Sequence, residues 1–363
     1  MIRPNRMYRG LRHLIIMTIA EKYQTCMVLS GGGFRYGYYL GMYAAVAERA
    51  KTPDLLLGSC GGAIAAAIIQ SLPDDQQRKN WIASEQMYEF WRAFKPNQQA
   101  KFTRALWGAA KRKLTFENAA RIPDLFKDYL FEIQQYVPLP ALKTDKPDIA
   151  VAIIAGKLLY TQTEVGRPRS NKKLFKEIIF CNEKCSQLLL GMPSSIARHE
   201  NAIHTELLID THMPINEAAR ASVSDMFYFR CHRYQANDYV GGAINLLPIE
   251  IAKRMAHETI IEIKSSYDQS FSIPALKAVF GIDGNQRLRE VAKQAVTLAI
   301  DTSDMQMALK SARIQKRINW RRNIIELIAP PSHKEYARMI DAQWQYGYDR
   351  ATAAIKTSGN RLP

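Results

Sequence analysis

Length, composition and charge limit what this chain can be. With 363 residues, 47% of them apolar and 23% charged, it is long enough to bury a large core and is not a mini-protein that needs disulfides to fold. The excess of 50 Lys and Arg over 34 Asp and Glu gives a net charge of +16, which favours anionic partners such as lipid or nucleic acid. The five cysteines are odd in number and lack a repeated paired spacing, so we predict no disulfide framework, no metal site and no cofactor.

Residues 1–24 form a basic segment. Its arginines precede an apolar run at 14–20 that is too short for a signal peptide or a membrane span; they are Arg3, Arg6, Arg9 and Arg12. We predict a basic amphipathic extension that lies on the protein itself or on a membrane surface. We predict a cytoplasmic protein that is either free or attached peripherally to membrane.

A glycine loop follows the first predicted strand. Residues 25–30 are of β type, Gly31, Gly32 and Gly33 come next, and residues 38–47 have helical composition. Successive glycines at a helix N-terminus let backbone N–H groups converge on an anion. The Gly-Lys-Ser/Thr of a phosphate-binding P-loop is absent. The loop is therefore either a plain tight turn or an oxyanion hole.

The next strand and helix meet at a cysteine. Residues 55–57 are apolar, glycines at 58, 61 and 62 flank Cys60, and residues 63–69 are again apolar. This arrangement predicts a nucleophile elbow, a sharp turn that projects one side chain at a helix N-terminus. Consecutive strand–turn–helix units place their turns at the same edge of a parallel sheet, so we expect Cys60 to face the glycine loop.

The remaining chain completes an α/β pattern. Residues 75–145 predict an inserted helical cap, and within it the basic segment 101–113 is interleaved with apolar and aromatic side chains. That segment is either a helix at a lipid interface or an ordinary surface helix. Further strands are predicted at 149–155, 175–180, 206–209, 259–263 and 323–328, and a closing helix at 333–356.

These motifs together resemble the patatin-like phospholipases. The loop Gly31, Gly32, Gly33 and Arg35 fits the family's Gly-Gly-Gly-x-Arg oxyanion loop, and residues 58–62 fit its elbow with Cys60 at the serine position. Residues 219–222 and 241–248 also resemble family segments. The resemblance implies a three-layer α/β fold with a mostly parallel central sheet flanked by helices. It implies one domain over 25–363, including the helical cap.

Two catalytic positions depart from the family pattern. Cys60 replaces the nucleophilic serine, and Val240 occupies the place of the dyad aspartate directly before a glycine pair. Asp238 stands two residues earlier and is our predicted catalytic carboxylate, with His232 as another candidate base. Tyr36 replaces the glycine that usually follows the loop arginine.

The chemistry of a thiol suits the loss of the family aspartate. A thiol carries some thiolate without a base, and we expect the helix N-terminus or Arg35 to lower its pKa further. We predict a lipid acyl hydrolase or acyltransferase that forms a thioester on Cys60 and acts on lipid or acyl-thioester substrates, with Gly32 and Gly33 N–H groups binding the oxyanion. The alternative is a catalytically impaired protein that binds lipid or acts as a scaffold. Nucleic-acid binding rests on charge alone.

Overall fold

The computed structural model describes residues 20–31, 33–115, 118–142 and 147–359. The predicted N-terminal extension as far as residue 19 and the predicted loop residue Gly32 lie outside these ranges. The strands are β1 (Tyr23–Leu29), β2 (Leu55–Ser59), β3 (Lys95–Pro96), β4 (Phe131–Glu132), β5 (Ala150–Leu158), β6 (Phe175–Phe180), β7 (Leu208–Asp210), β8 (His232–Tyr234), β9 (Asn237–Val240), β10 (Ala256–Ile263), β11 (Leu298–Asp301), β12 (Gln315–Asn319) and β13 (Ile324–Ile328).

The helices lie between these strands and after the last of them. They are α1 (Gly37–Arg49), α2 (Gly61–Ser71), α3 (Asp75–Ile82), α4 (Glu85–Arg92), α5 (Phe102–Thr115), α6 (Glu183–Leu189), α7 (Ile215–Ser222), α8 (Ile249–Met255), α9 (Ser272–Phe280), α10 (Gly284–Ala292), α11 (Met305–Ala308) and α12 (His333–Ser358). No helix in the described ranges is long and apolar enough to cross a membrane.

The central sheet is mostly parallel, as predicted. Its strand order is β11-β10-β1-β2-β5-β6-β7, and the neighbours from β11 to β5 all run parallel. β6 and β9 both pair with β5 in antiparallel orientation, and β8 pairs with β9. Because β1 and β2 are parallel neighbours, with Leu29 opposite Gly58, the turns that follow them share one edge of the sheet.

Side chains of the central strands alternate between two apolar layers. On β1, Met27 and Leu29 pack in one layer, and Cys26 and Val28 pack in the other. The first layer contains side chains of α1, α2, α7 and α12, and the second contains side chains of α6, α8 and α9. A sheet covered on both faces explains why these strands are almost continuously apolar, and it confirms the predicted three-layer α/β architecture.

The cap prediction is only partly matched by local structure. Residues 75–145 contain helices α3, α4 and α5, together with the small β3–β4 pair. Phe90 and Trp91 of α4 are buried in the same apolar layer as α1. The treatment of this segment as a separate insertion stays a prediction.

Candidate active site

Cys60 lies at a strained turn between β2 and α2. Its backbone has φ 50° and ψ −121°, a positive φ that non-glycine residues seldom adopt outside functional turns. A Cβ at Gly62 would lie 1.8 Å from the Leu29 carbonyl oxygen, so only glycine lets the turn press this closely against β1. The side chain of Cys60 is buried and lines a cavity. The sharp turn that the sequence predicts at Cys60 is thus present, and the role of Cys60 as a nucleophile stays a prediction.

The carboxylate beside the thiol belongs to Asp225. Cys60 Sγ lies 3.0 Å from Asp225 Oδ1. Asp225 stands in the turn that follows α7 and also lines the cavity. Burial raises the pKa of Asp225 to about 6, although the Cys60 thiol and the Ala243 backbone N–H each donate to the carboxylate and oppose that rise. At neutral pH the carboxylate is therefore largely ionised and accepts the thiol proton in a hydrogen bond.

The charge state of Cys60 differs from the prediction. Burial raises the pKa of the thiol well above its ordinary value, and the negative charge of Asp225 raises it further. The positive charge of Lys264 opposes this shift without reversing it. The expectation that the helix N-terminus or Arg35 lowers the pKa is wrong, because desolvation and a neighbouring anion outweigh the favourable charges. The site holds a neutral thiol beside a carboxylate.

The predicted carboxylate Asp238 lies elsewhere. It forms an ion pair with Arg233 at 3.4 Å on the β8–β9 hairpin. Val240 is buried, and its Cγ1 atom lies 2.8 Å from where a Cβ of Gly156 would be, so it packs against β5. A Cβ at Gly241 would lie 2.3 Å from Asp225 Oδ1. The glycine after Val240 thus leaves room for Asp225, which corrects our placement of Asp238 beside the thiol.

His232 takes part in a different buried cluster. Its Nε2 atom lies 2.7 Å from Oε2 of Glu217 on α7. Burial and the nearby charge of Arg220 lower the pKa of His232, whereas Glu217 raises it in part. Neither His232 nor Glu217 is among the residues that line the cavity. The structure therefore does not bring His232 together with Cys60.

Gly31 and Gly33 of the glycine loop lie close to the elbow. A Cβ at Gly31 would lie 3.4 Å from Cys60 Sγ, and a Cβ at Gly61 would lie 3.1 Å from the Gly33 carbonyl oxygen. Gly33 has φ +62° and lines the cavity together with Arg35. The two predicted turns therefore face each other, as expected. The assignment of Gly31, Gly32, Gly33 and Arg35 as an oxyanion hole stays a prediction.

A buried charge cluster supports the glycine loop from behind. Lys264 Nζ donates to the Gly31 carbonyl oxygen at 2.5 Å and pairs with Glu262 Oε1 at 3.0 Å. The hydroxyls of Tyr38 and Tyr39 each donate to Glu262 at 2.8 Å. Burial by itself would raise the pKa of Glu262, but the Lys264 charge and the hydrogen bonds from Ser30, Tyr39 and Lys264 hold it below its ordinary value. Glu262 is thus an ionised, fully buried anchor for Lys264.

Serines of the α7 segment hold the elbow and the Asp225 turn. The Cys60 N–H donates to Ser222 Oγ at 2.8 Å, and that hydroxyl donates to the Ile154 carbonyl oxygen at 2.6 Å. Arg220 donates to Ser224 Oγ at 2.6 Å, and the Gly241 N–H donates to the Ser224 carbonyl oxygen at 2.8 Å. The 219–222 segment singled out in the sequence therefore links the nucleophile position to the residue before Asp225.

The cavity above Cys60 has a volume of about 880 Å³. One part of its wall is apolar and largely aromatic; it is made by Phe34, Phe90, Trp91, Phe229 and Ile133. The remaining wall carries cations from two parts of the chain, namely Arg35, Lys310, Arg313 and Lys316. Such a cavity is large enough for a drug-sized ligand that combines an apolar chain with an anionic group.

Sequence reasoning missed Asp225 and Lys264. Asp225 lies in the run Val-Ser-Asp-Met-Phe, where one acidic residue stands among apolar and small neighbours. That isolated carboxylate was the available signal, since a charge in an apolar turn needs a partner. Lys264 follows a strand directly, and nothing in its local pattern distinguishes it from a surface lysine.

A comparison with protein-family models agrees with these motifs. A family model described as patatin-like phospholipase matches residues 27–253. The crystal structure of VipD from Legionella pneumophila aligns with a TM-score of 0.38 and 10% identity, over 93% of this chain and 67% of that chain. None of the curated proteins compared with this chain matches it.

Proposed function

Because the chain belongs to the patatin-like phospholipase family, we propose that it transfers acyl groups through a thioester on Cys60, with Asp225 as the base. Members of this family are lipid hydrolases, which makes a lipid ester or an acyl thioester the expected donor. The observation that carries the proposal is the 3.0 Å contact between Cys60 Sγ and Asp225 Oδ1 at the floor of the cavity.

In the first half-reaction, the sulfur attacks the acyl carbonyl carbon while the thiol proton moves to Asp225. The carbonyl oxygen becomes an anion, and the backbone N–H groups of Gly32, Gly33 and Gly61 are the proposed donors that stabilise it. The bond to the leaving group then breaks, and the leaving oxygen or sulfur takes the proton from Asp225. A pKa of about 6 suits Asp225 to this role, since a carboxylate ionised at neutral pH yet more basic than usual can accept and return a proton.

In the second half-reaction, an acceptor attacks the thioester and its proton passes to Asp225. Water as the acceptor makes the protein a hydrolase, and an alcohol, amine or thiol makes it an acyltransferase. Asp225 then reprotonates the departing sulfur. Both half-reactions need a proton acceptor, and position 240 carries no aspartate to act as one. In this proposal Asp225 takes that role.

Intact-mass analysis after incubation with 4-nitrophenyl octanoate tests the proposal. We expect a single octanoyl adduct on Cys60 and release of 4-nitrophenol, both lost in Cys60→Ala. Cys231→Ala is the matched control, because Cys231 is also a buried cysteine but does not line the cavity. An adduct that persists in Cys60→Ala, or no adduct with esters and acyl thioesters of several chain lengths, would contradict the proposal.

The raised pKa of the Cys60 thiol favours a second candidate function, the non-catalytic lipid-binding or scaffold protein. A buried thiol that rarely ionises also fits a residue that merely fills space. This candidate predicts that octanoate binds in the cavity equally well in wild type and Cys60→Ser, and that neither forms an adduct. The acyl-transfer proposal predicts an ester adduct or turnover in Cys60→Ser.

We further propose that one basic aromatic surface contacts an anionic membrane. It combines exposed side chains of α5 with the β12–β13 hairpin; they are Leu106, Trp107, Leu114 and Trp320 together with Arg104, Lys113, Arg321 and Arg322. The two elements join where the Phe102 N–H donates to the Asn323 carbonyl oxygen at 2.7 Å and the Phe102 and Trp320 rings meet edge to face. Aromatic side chains flanked by cations are typical of interfacial binding.

The position of the basic aromatic surface relative to the cavity supports the proposed membrane contact. Lys316 of β12 lines the cavity and contacts the hydroxyl of Tyr228, another lining residue. The hairpin therefore runs from the cavity wall to the basic aromatic surface. In a pelleting assay, we expect vesicles with anionic lipid to retain the protein and neutral vesicles to retain less.

Paired variants make the vesicle assay specific. Trp107→Ser with Trp320→Ser should lower retention, whereas Leu190→Ser, which changes an exposed apolar residue beyond α6, should not. Equal retention on anionic and neutral vesicles would contradict the proposal that this surface contacts an anionic membrane.

A further inference from the structure

We infer that Arg112 of α5 and Lys316 of β12 are positioning residues for Asp225. Each lies over an aromatic ring of the turn that begins at Asp225, and together they set how close its carboxylate stands to the Cys60 thiol. The inference rests on the proposed role of Asp225 as the base. It adds two residues that act on the reaction through this turn.

The turn that begins at Asp225 is closed and strained. The Asp225 carbonyl oxygen accepts the N–H groups of Tyr228 and Phe229 at 3.1 and 3.0 Å, which ties the later residues of the turn to Asp225. Within the turn, Phe227 has a φ of 65°, a conformation that bulky side chains rarely adopt. Such a conformation persists only where surrounding groups hold it. Contacts with Phe227 and Tyr228 therefore affect where Asp225 lies.

Arg112 holds the Phe227 ring from α5. Its Cζ atom lies 4.2 Å from the ring centroid, within the range of a cation–π interaction. Burial lowers the pKa of the Arg112 guanidinium, and the charge of Asp128 opposes that shift. The Nε atom of Arg112 is buried and makes no hydrogen bond to the described residues. The Phe227 ring therefore gives a favourable contact to a desolvated cation, where cation–π interactions are strongest.

Lys316 holds the next ring of the turn from β12. Its Nζ atom lies 4.1 Å from the centroid of the Tyr228 ring and contacts the hydroxyl of the same side chain. The Phe102 N–H of α5 donates to the Asn323 carbonyl oxygen at 2.7 Å, which connects α5 to the β12–β13 hairpin. Two consecutive rings of the Asp225 turn are thus held by cations from two connected elements.

The sign of the expected effect separates positioning from simple loss of charge. Removing a cation near a thiol raises the thiol pKa, because a nearby positive charge favours the thiolate. Displacing the Asp225 carboxylate lowers the pKa of Cys60, because that negative charge and its hydrogen bond both raise it. A positioning role therefore predicts that Cys60 ionises more readily when either cation is lost.

Alkylation of Cys60 by iodoacetamide at a series of pH values, followed by peptide mapping, tests the inference. Arg112→Leu and Lys316→Leu should each shift the profile to lower pH, with a rate at pH 8 up to about tenfold above wild type, the change in thiolate for one pKa unit. Arg112→Lys and Lys316→Arg keep a cation at the rings and should restore most of the wild-type profile. In the Asp225→Asn background, Arg112→Leu should give no further increase, because it acts through Asp225.

Arg49→Leu is the matched control. Arg49 also lies over an aromatic ring, that of Tyr348 at 5.4 Å, but it is exposed and does not line the cavity. This variant should keep the wild-type profile. Lys316 is exposed, so Lys316→Leu tests the inference even where Arg112→Leu does not fold.

An unchanged or slower rate in both leucine variants overturns the inference. An equal increase in the Asp225→Asn background also overturns it, because the cause would then be easier access to the thiol. Alkylation needs no acyl donor, so the absence of an octanoyl adduct on Cys60 would contradict acyl transfer and leave the positioning result standing. The two proposals can therefore fail separately.

Discussion

The sulfur of Cys60 and the carboxylate of Asp225 lie 3.0 Å apart, although 165 positions separate them in the chain. The parallel sheet brings the elbow after β2 beside the turn after α7, and Gly241 makes the space in which the carboxylate sits. The two groups shift each other's pKa in opposite directions: the Asp225 carboxylate raises the pKa of the Cys60 thiol, and the thiol hydrogen bond lowers the pKa of the Asp225 carboxyl.

Asp225→Asn should separate acylation from simple thiol reactivity. Removing the base should slow octanoyl transfer to Cys60 by about 10²- to 10⁴-fold, the usual contribution of a general base. Removing the negative charge should also lower the thiol pKa, so alkylation of Cys60 by iodoacetamide at pH 8 should become faster. Peptide mapping after each reagent measures both rates. A parallel fall in both rates would indicate loss of structure and contradict the assigned role.

Acylation of Cys60 should depend on pH through Asp225. Its pKa of about 6 means that the carboxylate is ionised above that pH and protonated below it, so the acylation rate should rise from pH 5 to 7 and then level off. The midpoint should stay near 6 in Asp238→Asn, which alters the carboxylate paired with Arg233. A midpoint that moves in Asp238→Asn and not in Asp225→Asn would assign the base to Asp238 instead.

Val240→Asp should destabilise the protein and not improve acyl transfer. The Val240 side chain is buried against β5, so an aspartate there would desolvate a carboxylate away from Cys60. We expect a loss of about 3 kcal/mol in the free energy of unfolding by urea denaturation, at the scale typical of unpaired buried charges. Val240→Thr, of nearly equal volume, should lose less. Faster ester hydrolysis in folded Val240→Asp would show that this position can still serve the site.

The sequence identifies the elements that form continuous patterns. Local sequence patterns predict the tight turn at Cys60 and the apolar strands of the parallel sheet, and the structure has both where expected. The roles of Asp225 and Lys264 cannot be predicted from local sequence, because they depend on contacts with distant residues. Asp225 contacts Cys60 across 165 positions, and Lys264 contacts Gly31 across 233 positions. Strands β8 and β9 were not predicted for a similar reason, since a short polar hairpin is stabilised by the strand that it pairs with. The direction of the Cys60 pKa depends on burial, which local pattern does not report.

Lys264→Met should destabilise the protein by leaving Glu262 buried without its counter-charge. Breaking one partner of a buried ion pair costs about 3–5 kcal/mol, which urea unfolding resolves. The double variant Lys264→Met with Glu262→Gln should recover most of the loss, because no uncompensated charge remains. The double variant should nevertheless transfer acyl groups more slowly than wild type, since Lys264 Nζ also holds the Gly31 carbonyl beside Cys60. If the losses of unfolding free energy in the two single variants simply add in the double variant, Lys264 and Glu262 are not energetically coupled and the prediction is wrong.

Gly62→Ala tests how tightly the elbow is pressed against β1. Its new methyl group would fall 1.8 Å from the Leu29 carbonyl oxygen, a backbone atom that cannot move without shifting the central sheet. We expect a loss of at least about 3 kcal/mol in unfolding free energy, or failure to fold. Gly108→Ala on α5 is the matched control, because its nearest neighbour is the end of the Arg112 side chain at 3.3 Å and not backbone, and alanine gains up to about 1 kcal/mol over glycine in a helix. Similar stability in both variants would mean that the elbow is looser than the contact with Leu29 indicates.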